Sequence, residues 1–397
     1  MTDAHNADEL PTKDAIEAFC ERLSRDPDFD AEELRAFDAA DVLLLDQAGE
    51  AIQAASPGEL AIIGDRHGAL TLGAAQLYGA SQIRTHQDPV LGERALAENA
   101  QRAGLTEHYS SQPLNSELLS GARVVLIQLP RGLEALTEIV WAIAAFAHPE
   151  VRVFAGGREK HMSRRMNEVL AERLDNVTAG LGWRKSRVLS AVGVRELGTD
   201  AAGLAAAPFP KWGSDPALEF QVAAFGQTFG GPTLDHGSRL LLETLRAHPP
   251  HRTQHVVDLG CGNGVLAVSA VRSWPHASVI ATDQSAAAVA ATELTAAAAG
   301  VADRVNPHRG DALEAVADGW ANLILLNPPF HTGATVHAGV AHRLIRQCTR
   351  ALAAGGELRV VFNSHLRYRP LIERAVGPTR ELARDRTFTV LSARARD

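Results

Sequence analysis

Two groups of residues in this chain have the types and spacing to do chemistry. The first is Asp258-Leu-Gly-Cys-Gly-Asn-Gly264, in which Gly260, Gly262 and Gly264 alternate with Cys261 and Asn263. Glycines at a strand-to-helix turn let the backbone pass close to a ligand and let the helix pack against the sheet. A lone G-x-G-x-G also occurs in dinucleotide sites and in plain tight turns. Asp258, two residues before the first glycine, is not needed by a dinucleotide. It suits a cofactor with a cationic amino-acid end, because an ammonium and a sulfonium seek a nearby anion. Asp283, nineteen residues after Gly264, ends the next apolar run, where a carboxylate can accept both ribose hydroxyls. Asp311, in Arg309-Gly-Asp-Ala312, ends a third run and can meet an adenine amino group. The competing reading of each Asp is a turn or helix-cap role.

The second group is Asn327-Pro-Pro-Phe330, directly after Leu323-Ile-Leu-Leu326. A conjugated amine is a weak nucleophile. It needs no strong base if acceptors hold its N–H groups while its lone pair is aimed at an electrophile. The Asn327 side-chain oxygen and the Pro328 carbonyl can be those acceptors. Pro328 and Pro329 fix φ and make the corner rigid, and Phe330 can stack on the ring that carries the amine. Alignment of the reacting groups would supply the remaining rate. The competing reading is that Pro-Pro merely stops a strand.

The elements that must hold these groups alternate. Apolar runs at 256–259, 278–282, 323–326 and 357–362 read as buried strands, with helices at 265–274, 286–299 and 337–353 and a last strand at 387–394. This is the pattern of parallel βαβ units. The first half repeats it: helix over 12–55, strands at 59–64, 81–85, 123–128 and 151–155, helices at 69–77, 91–103 and 132–147. Ile63-Gly-Asp-Arg-His-Gly-Ala-Leu70 lies over Leu259-Gly-Cys-Gly-Asn-Gly-Val-Leu266 without a gap, and Gln128-Leu-Pro-Arg131 falls where Asn327-Pro-Pro-Phe330 falls. A repeat of whole-domain size implies duplication. The copies are not equivalent: Ile62 stands for Asp258, Arg66 for Gly262 and Arg131 for Phe330. The expected domains are 1–205, which keeps the fold without the cofactor, and 206–397, which carries the chemistry. The Ala-, Gly- and Pro-rich stretch 201–216 is the expected linker.

The composition bounds the function classes. With 397 residues, 46% hydrophobic and 22% charged, the chain is globular. No apolar run is long enough for a membrane span, and the acidic, polar N-terminus lacks the layout of a signal peptide. A cytoplasmic location is expected. Three widely spaced cysteines indicate neither a disulfide framework nor a metal cluster. The net charge is −8, but unevenly spread. Residues 1–50 carry fifteen Asp and Glu against four Lys and Arg, whereas 343–397 carry twelve Arg against five acids. Arg343, Arg346, Arg367, Arg369, Arg384 and Arg386 form one candidate basic face, and Arg158, Lys160, Arg164 and Arg165 another, each equally readable as solvated surface.

Taken in order and spacing, these motifs resemble class I S-adenosylmethionine-dependent methyltransferases. The Asn-Pro-Pro-aromatic corner occurs in those that act on adenine, on guanine N2 and on a glutamine amide. Phe330-His331, the upstream segment Leu234–Leu242 and the downstream Gly355–Val361 are most similar to the ribosomal RNA guanine-N2 methyltransferases, which also contain a degenerate N-terminal copy of the domain. Leu34–Asp41, Gly182–Arg187 and Asn363–Tyr368 resemble the large-subunit type more than the small-subunit type. The resemblance implies two tandem Rossmann-like α/β domains and S-adenosyl-L-methionine as cofactor. It implies cofactor contacts at Asp235, Gly237, Ser238, Asp258, Gly260, Cys261, Gly262, Asn263, Gly264, Asp283, Gln284, Ser285, Asp311, Ala312 and Asn327, and catalysis at Asn327, Pro328, Pro329 and Phe330. It implies ribosomal RNA as the partner, naked or in a particle, with neither metal nor membrane. The chain departs from the pattern at Phe229-Gly-Gly-Pro-Thr233, where the family has a Phe-Ser-Arg-like segment. The rival readings are small-subunit RNA as substrate, N-methylation of adenine or protein glutamine, and a non-catalytic RNA-binding assembly factor.

Overall fold

The computed structural model describes residues 10–28, 34–195, 207–328 and 334–396. The chain divides into two compact units, Met1–Pro208 and Phe209–Asp397.

In the first unit, α1 (Lys13–Cys20) and α2 (Ala39–Ala54) precede β1 (Leu60–Ile63). They are followed by α3 (Ala69–Tyr78), β2 (Ile83–His86), α4 (Val90–Ala103), β3 (Tyr109–Ser111) and α5 (Ser116–Leu119). Then come β4 (Val124–Gln128), α6 (Leu133–Phe146), β5 (Arg152–Arg158), α7 (Arg164–Ala171), β6 (Thr178–Ala179) and β7 (Ser186–Val192). The helix expected over 12–55 is thus two helices, with 29–33 outside the described residues. The sheet order is β3-β2-β1-β4-β5-β7-β6. β1 to β5 are parallel and β7 is antiparallel to both its neighbours.

The second unit opens with the hairpin strands β8 (Lys211–Gly213) and β9 (Val222–Ala224). β8 lies inside the stretch expected to be linker. Then follow α8 (His236–Ala247), β10 (His255–Leu259), α9 (Val265–Ser273), β11 (Ser278–Asp283), α10 (Ala286–Ala298) and β12 (Val305–Arg309). The chain continues through β13 (Ala321–Leu326), α11 (Ala334–Ala351), β14 (Leu352–Asn363), α12 (Arg369–Ala375), β15 (Thr379–Arg384) and β16 (Phe388–Arg394). The sheet order is β12-β11-β10-β13-β14-β16-β15, the same pattern as in the first unit, again with an antiparallel strand next to the far edge.

The central strands are apolar throughout because both faces are covered. Successive side chains alternate: Val256, Leu323 and Leu325 join α8 and α9 in one core, while Val257, Ile324 and Leu326 join α11 and α12 in the other. β12 contains Pro307 and lies on the sheet edge, the position where a strand tolerates a residue without an N–H. The order turns around between β10 and β13, which opens a crevice at their carboxyl ends.

Candidate active site

Both motifs arrive at that crevice. After β10, Gly260 and Gly262 adopt φ of 79° and 54°. A Cβ on either would meet nothing within 4 Å, so the space in front of the turn is open. Gly264 (φ 78°) has another reason: its Cβ would lie 2.9 Å from the Thr292 Cα, so it serves the packing of α9 on α10.

Asp258 is fully buried. Its Oδ2 accepts from the Ala267 N–H at 2.9 Å, while its Oδ1 is buried with no partner. Burial, with the charge of Asp283 adding to it against the Ala267 N–H, pushes the carboxyl up to about 7. Asp283 accepts from the Gly262 N–H at 3.1 Å and the Ser285 N–H at 3.0 Å, tying the glycine turn to the next loop. Ser285 caps α10 by accepting from the Ala288 N–H at 3.1 Å, and Gln284 beside it is exposed.

Cys261 is buried and accepts from the Thr292 hydroxyl at 3.2 Å; burial drives its thiol well above the ordinary range, unlike a nucleophile. The Asn263 amide donates to the carbonyls of Gly231 (2.9 Å) and Thr233 (2.8 Å). Its side chain therefore anchors the segment where the sequence departs from its resemblance, and does not face the open space. Asp311 is gripped bidentately by Arg343 at 2.7 and 2.9 Å. Arg343 is thus committed within the protein, which removes it from the candidate phosphate contacts. Ala312 holds φ 50°, a strained conformation for a residue with a Cβ.

Asn327 directly follows Leu326, the last residue of β13. Its Nδ2 donates to Asp235 Oδ1 at 3.2 Å and to the Ser238 hydroxyl at 3.1 Å. The carboxylate can only accept, so the amide's orientation follows from chemistry. Both N–H groups are engaged, and the side-chain oxygen is the polar atom left for a further partner. Asp235 is also the N-cap of α8, accepting from the Ser238 N–H at 3.1 Å. Between them, Gly237 leaves room: a Cβ there would come within 3.3 Å of the Asn327 amide. Pro328 is buried behind the corner. Pro329, Phe330 and His331 lie outside the described residues.

The other basic candidates separate by position. Arg369 pairs with Glu373 at 2.9 Å, while Arg346, Arg367, Arg384 and Arg386 are exposed. His255 stacks on Trp320 with ring centroids 4.7 Å apart. A cavity of about 560 Å³ lies at the amino ends of β10, β13 and β14, lined by Arg252, Asn322, Glu357 and Arg394 among others. It is at the wrong end of the sheet for the residues described above, and the crevice identified by side-chain geometry is the better candidate. Among the described residues, no group of three or more His, Cys, Asp or Glu could hold a metal ion, and no helix is long and apolar enough to cross a membrane.

The first unit has the same framework with different contents. Asp65, in the place of Cys261, accepts from Gly68 N–H (3.1 Å) and Thr71 N–H (2.7 Å). It does for α3 what Asp258 does for α9. His67, in the place of Asn263, bonds the Ala36 carbonyl at 2.9 Å, two residues before the cap Asp38, just as Asn263 holds Thr233 two residues before Asp235. Gln128, in the place of Asn327, donates to Asp41 at 2.7 Å, and Arg66 Nε donates to the Gln128 oxygen at 2.6 Å. The oxygen that stays available in the second unit is occupied in the first.

Two family models divide the chain between them: the RLMG N-terminal domain matches residues 15–194 and the methyltransferase small domain matches residues 219–392. The chain is 33% identical to a ribosomal RNA large subunit methyltransferase G of Pseudomonas syringae pv. syringae, covering 94% of this chain and 96% of that protein. It is 31% identical to one of Streptomyces coelicolor, covering 94% and 97%. Among solved structures it is similar to the T. thermophilus 16S rRNA N2 G1207 methyltransferase RsmC in complex with AdoMet and guanosine. The TM-score is 0.70 at 21% identity, covering 96% of this chain and all of that one.

Proposed function

The chain belongs to the ribosomal RNA large subunit methyltransferase G family, and from that membership we propose that it methylates the exocyclic N2 of a guanine in 23S ribosomal RNA, with S-adenosyl-L-methionine as methyl donor. The observation that carries the reading is the Asn327 amide: with both N–H groups engaged, it presents an acceptor only. An acceptor at the end of a rigid strand suits an amine that must lose no proton before it attacks.

The residues fit the cofactor. Asp258 Oδ1, buried without a partner, suits its ammonium, and the open space before Gly260 and Gly262 admits close approach. Asp283, already fixed by two backbone N–H groups, suits the ribose hydroxyls, and Asp311 with Ala312 the adenine. When bound, the cofactor supplies an electrophilic methyl group on a sulfonium. Asn327 and the Pro328 carbonyl hold the guanine amine by its N–H groups. That aims the lone pair and delays proton loss until the new bond has formed. Asp235, Gly237 and Ser238 act on this through Asn327 rather than on the cofactor directly. Pro329 and Phe330 complete the corner in this reading.

We further assign residues 206–397 as the catalytic domain and 1–205 as a degenerate copy that serves recognition or stability. Supporting this are the shared strand order and the occupation of the equivalent corner by Arg66, Gln128 and Asp41. Ribosomal RNA as partner and a cytoplasmic location go with it. The test is transfer from methyl-labelled S-adenosyl-L-methionine to separated 23S RNA, 16S RNA and ribosomal protein. Label in 23S RNA supports the proposal. Label in 16S RNA or protein would redirect it, and binding of RNA with no transfer would favour an assembly factor.

A further inference from the structure

His236 is the first residue of α8, between the cap Asp235 and Gly237. Its Nε2 meets Asp385 at 2.7 Å and its ring stacks on Phe388 with centroids 5.4 Å apart and planes 26° apart. Asp385 also accepts from the N–H groups of Thr387 and Phe388, both at 2.6 Å. These three bonds, that from His236 foremost, hold its carboxyl down at about 2, so it remains ionised across the neutral range. One ring face is thus covered and the edge is pinned, yet the His236 side chain is 65% exposed, which leaves the other face open.

The register places this ring at the substrate end of the sheet. Phe388 pairs with Asn363, the last residue of β14, and β14 neighbours β13, whose last residue, Leu326, directly precedes Asn327. Adjacent strands are about 5 Å apart. Arg384 and Arg386 flank Asp385 on the same turn and are exposed, and Arg367 is exposed in the loop after β14. A flat ring with one open face, rigidly held and bordered by guanidinium groups, has the makings of a base-stacking platform beside a phosphate track.

We propose that His236, supported by Phe388 and Asp385, stacks on the base of a nucleotide adjacent to the target guanine, while Arg384 and Arg386 contact its phosphates. This rests on the RNA methyltransferase reading. Two roles of His236, stacking surface and hydrogen-bonded tether, are separated by two substitutions. His236→Phe keeps a flat ring and loses the bond to Asp385; His236→Gln keeps a donor and loses the ring.

The experiment measures KM for a 23S RNA transcript, kcat, S-adenosyl-L-methionine binding and thermal stability in the full chain. With a base stacked on the ring, His236→Gln raises KM about tenfold and His236→Phe leaves it within about threefold, kcat and cofactor binding being unchanged in both. Replacing Arg384 and Arg386 by Ser lowers the salt slope of RNA binding by about 1.4. The subsite is overturned if His236→Phe is impaired as much as His236→Gln, or if neither differs from the wild type. A wild-type protein that methylates neither the transcript nor 23S RNA within large-subunit particles would overturn the methyltransferase reading, and the subsite with it.

Discussion

At Asn327 an amide is oriented by two acceptors, so its replacement removes one hydrogen-bond acceptor from the proposed reacting centre and little else from the proposed cofactor space. Asn327→Ala is expected to lower kcat by at least about 100-fold while calorimetric binding of S-adenosyl-L-methionine stays within about twofold. Gly237→Ala tests the same point indirectly. Its Cβ would press on the Asn327 amide from 3.3 Å, so kcat should fall without a comparable loss of cofactor affinity. Asp258 gives a pH dependence. Its folded value, about 7, lies above the ordinary carboxylate value of 3.8. The native state therefore keeps a proton that the unfolded chain has released, and this group's contribution to stability falls as pH rises from about 4 to about 7, with no change outside that window. In the proposed complex the cofactor's ammonium would act in the opposite sense by favouring the ionised carboxylate. Affinity should rise as pH rises through about 7 and level off above it. In Asp258→Asn that slope should vanish; a slope that survives would rule out this carboxylate as its source.

The glycine turn separates packing from binding. Gly264→Ala places a methyl group against Thr292 at a left-handed φ, and should destabilise the fold by about 2–4 kcal/mol, read as a drop in thermal midpoint. Gly262→Ala meets open space, so its larger effect should be on cofactor affinity. The elements that carry these turns were readable in the sequence because parallel strands covered on both faces appear as unbroken apolar runs such as Leu323–Leu326. β15 was not. Thr379-Arg-Glu-Leu-Ala-Arg384 is a largely exposed edge strand with no apolar periodicity. The strand β8 lies within the stretch 201–216, whose Ala and Pro content resembles a linker, and its partner β9 is only three residues long. Nor does spacing reveal who pairs with whom: Asp311 with Arg343, Asn263 with Gly231 and Thr233, and His236 with Asp385 are contacts between residues far apart in the chain.

Across the whole molecule, the repeat seen at residues 63–70 and 259–266 extends further than the sequence alone disclosed. The two sheets share one strand order, and the pairs Asp38 with Asp235, Asp41 with Ser238, His67 with Asn263 and Gln128 with Asn327 hold equivalent places. The residues at these positions differ while the strand order is the same, so the sequence alone aligns only the glycine turn and the Gln128–Arg131 corner. On this account the full chain binds one S-adenosyl-L-methionine, and Arg66→Gly does not create a second site, because Ile62 supplies no carboxylate. Calorimetry giving two sites per chain would refute the assignment of a degenerate copy. The most direct test of the central claim is nucleoside mass spectrometry of 23S ribosomal RNA from a strain deleted for this protein. Loss of one N2-methylguanosine is expected, restored by the wild-type chain and not by Asn327→Ala; an unchanged N2-methylguanosine content, or restoration by the Asn327→Ala chain, would contradict the proposed activity.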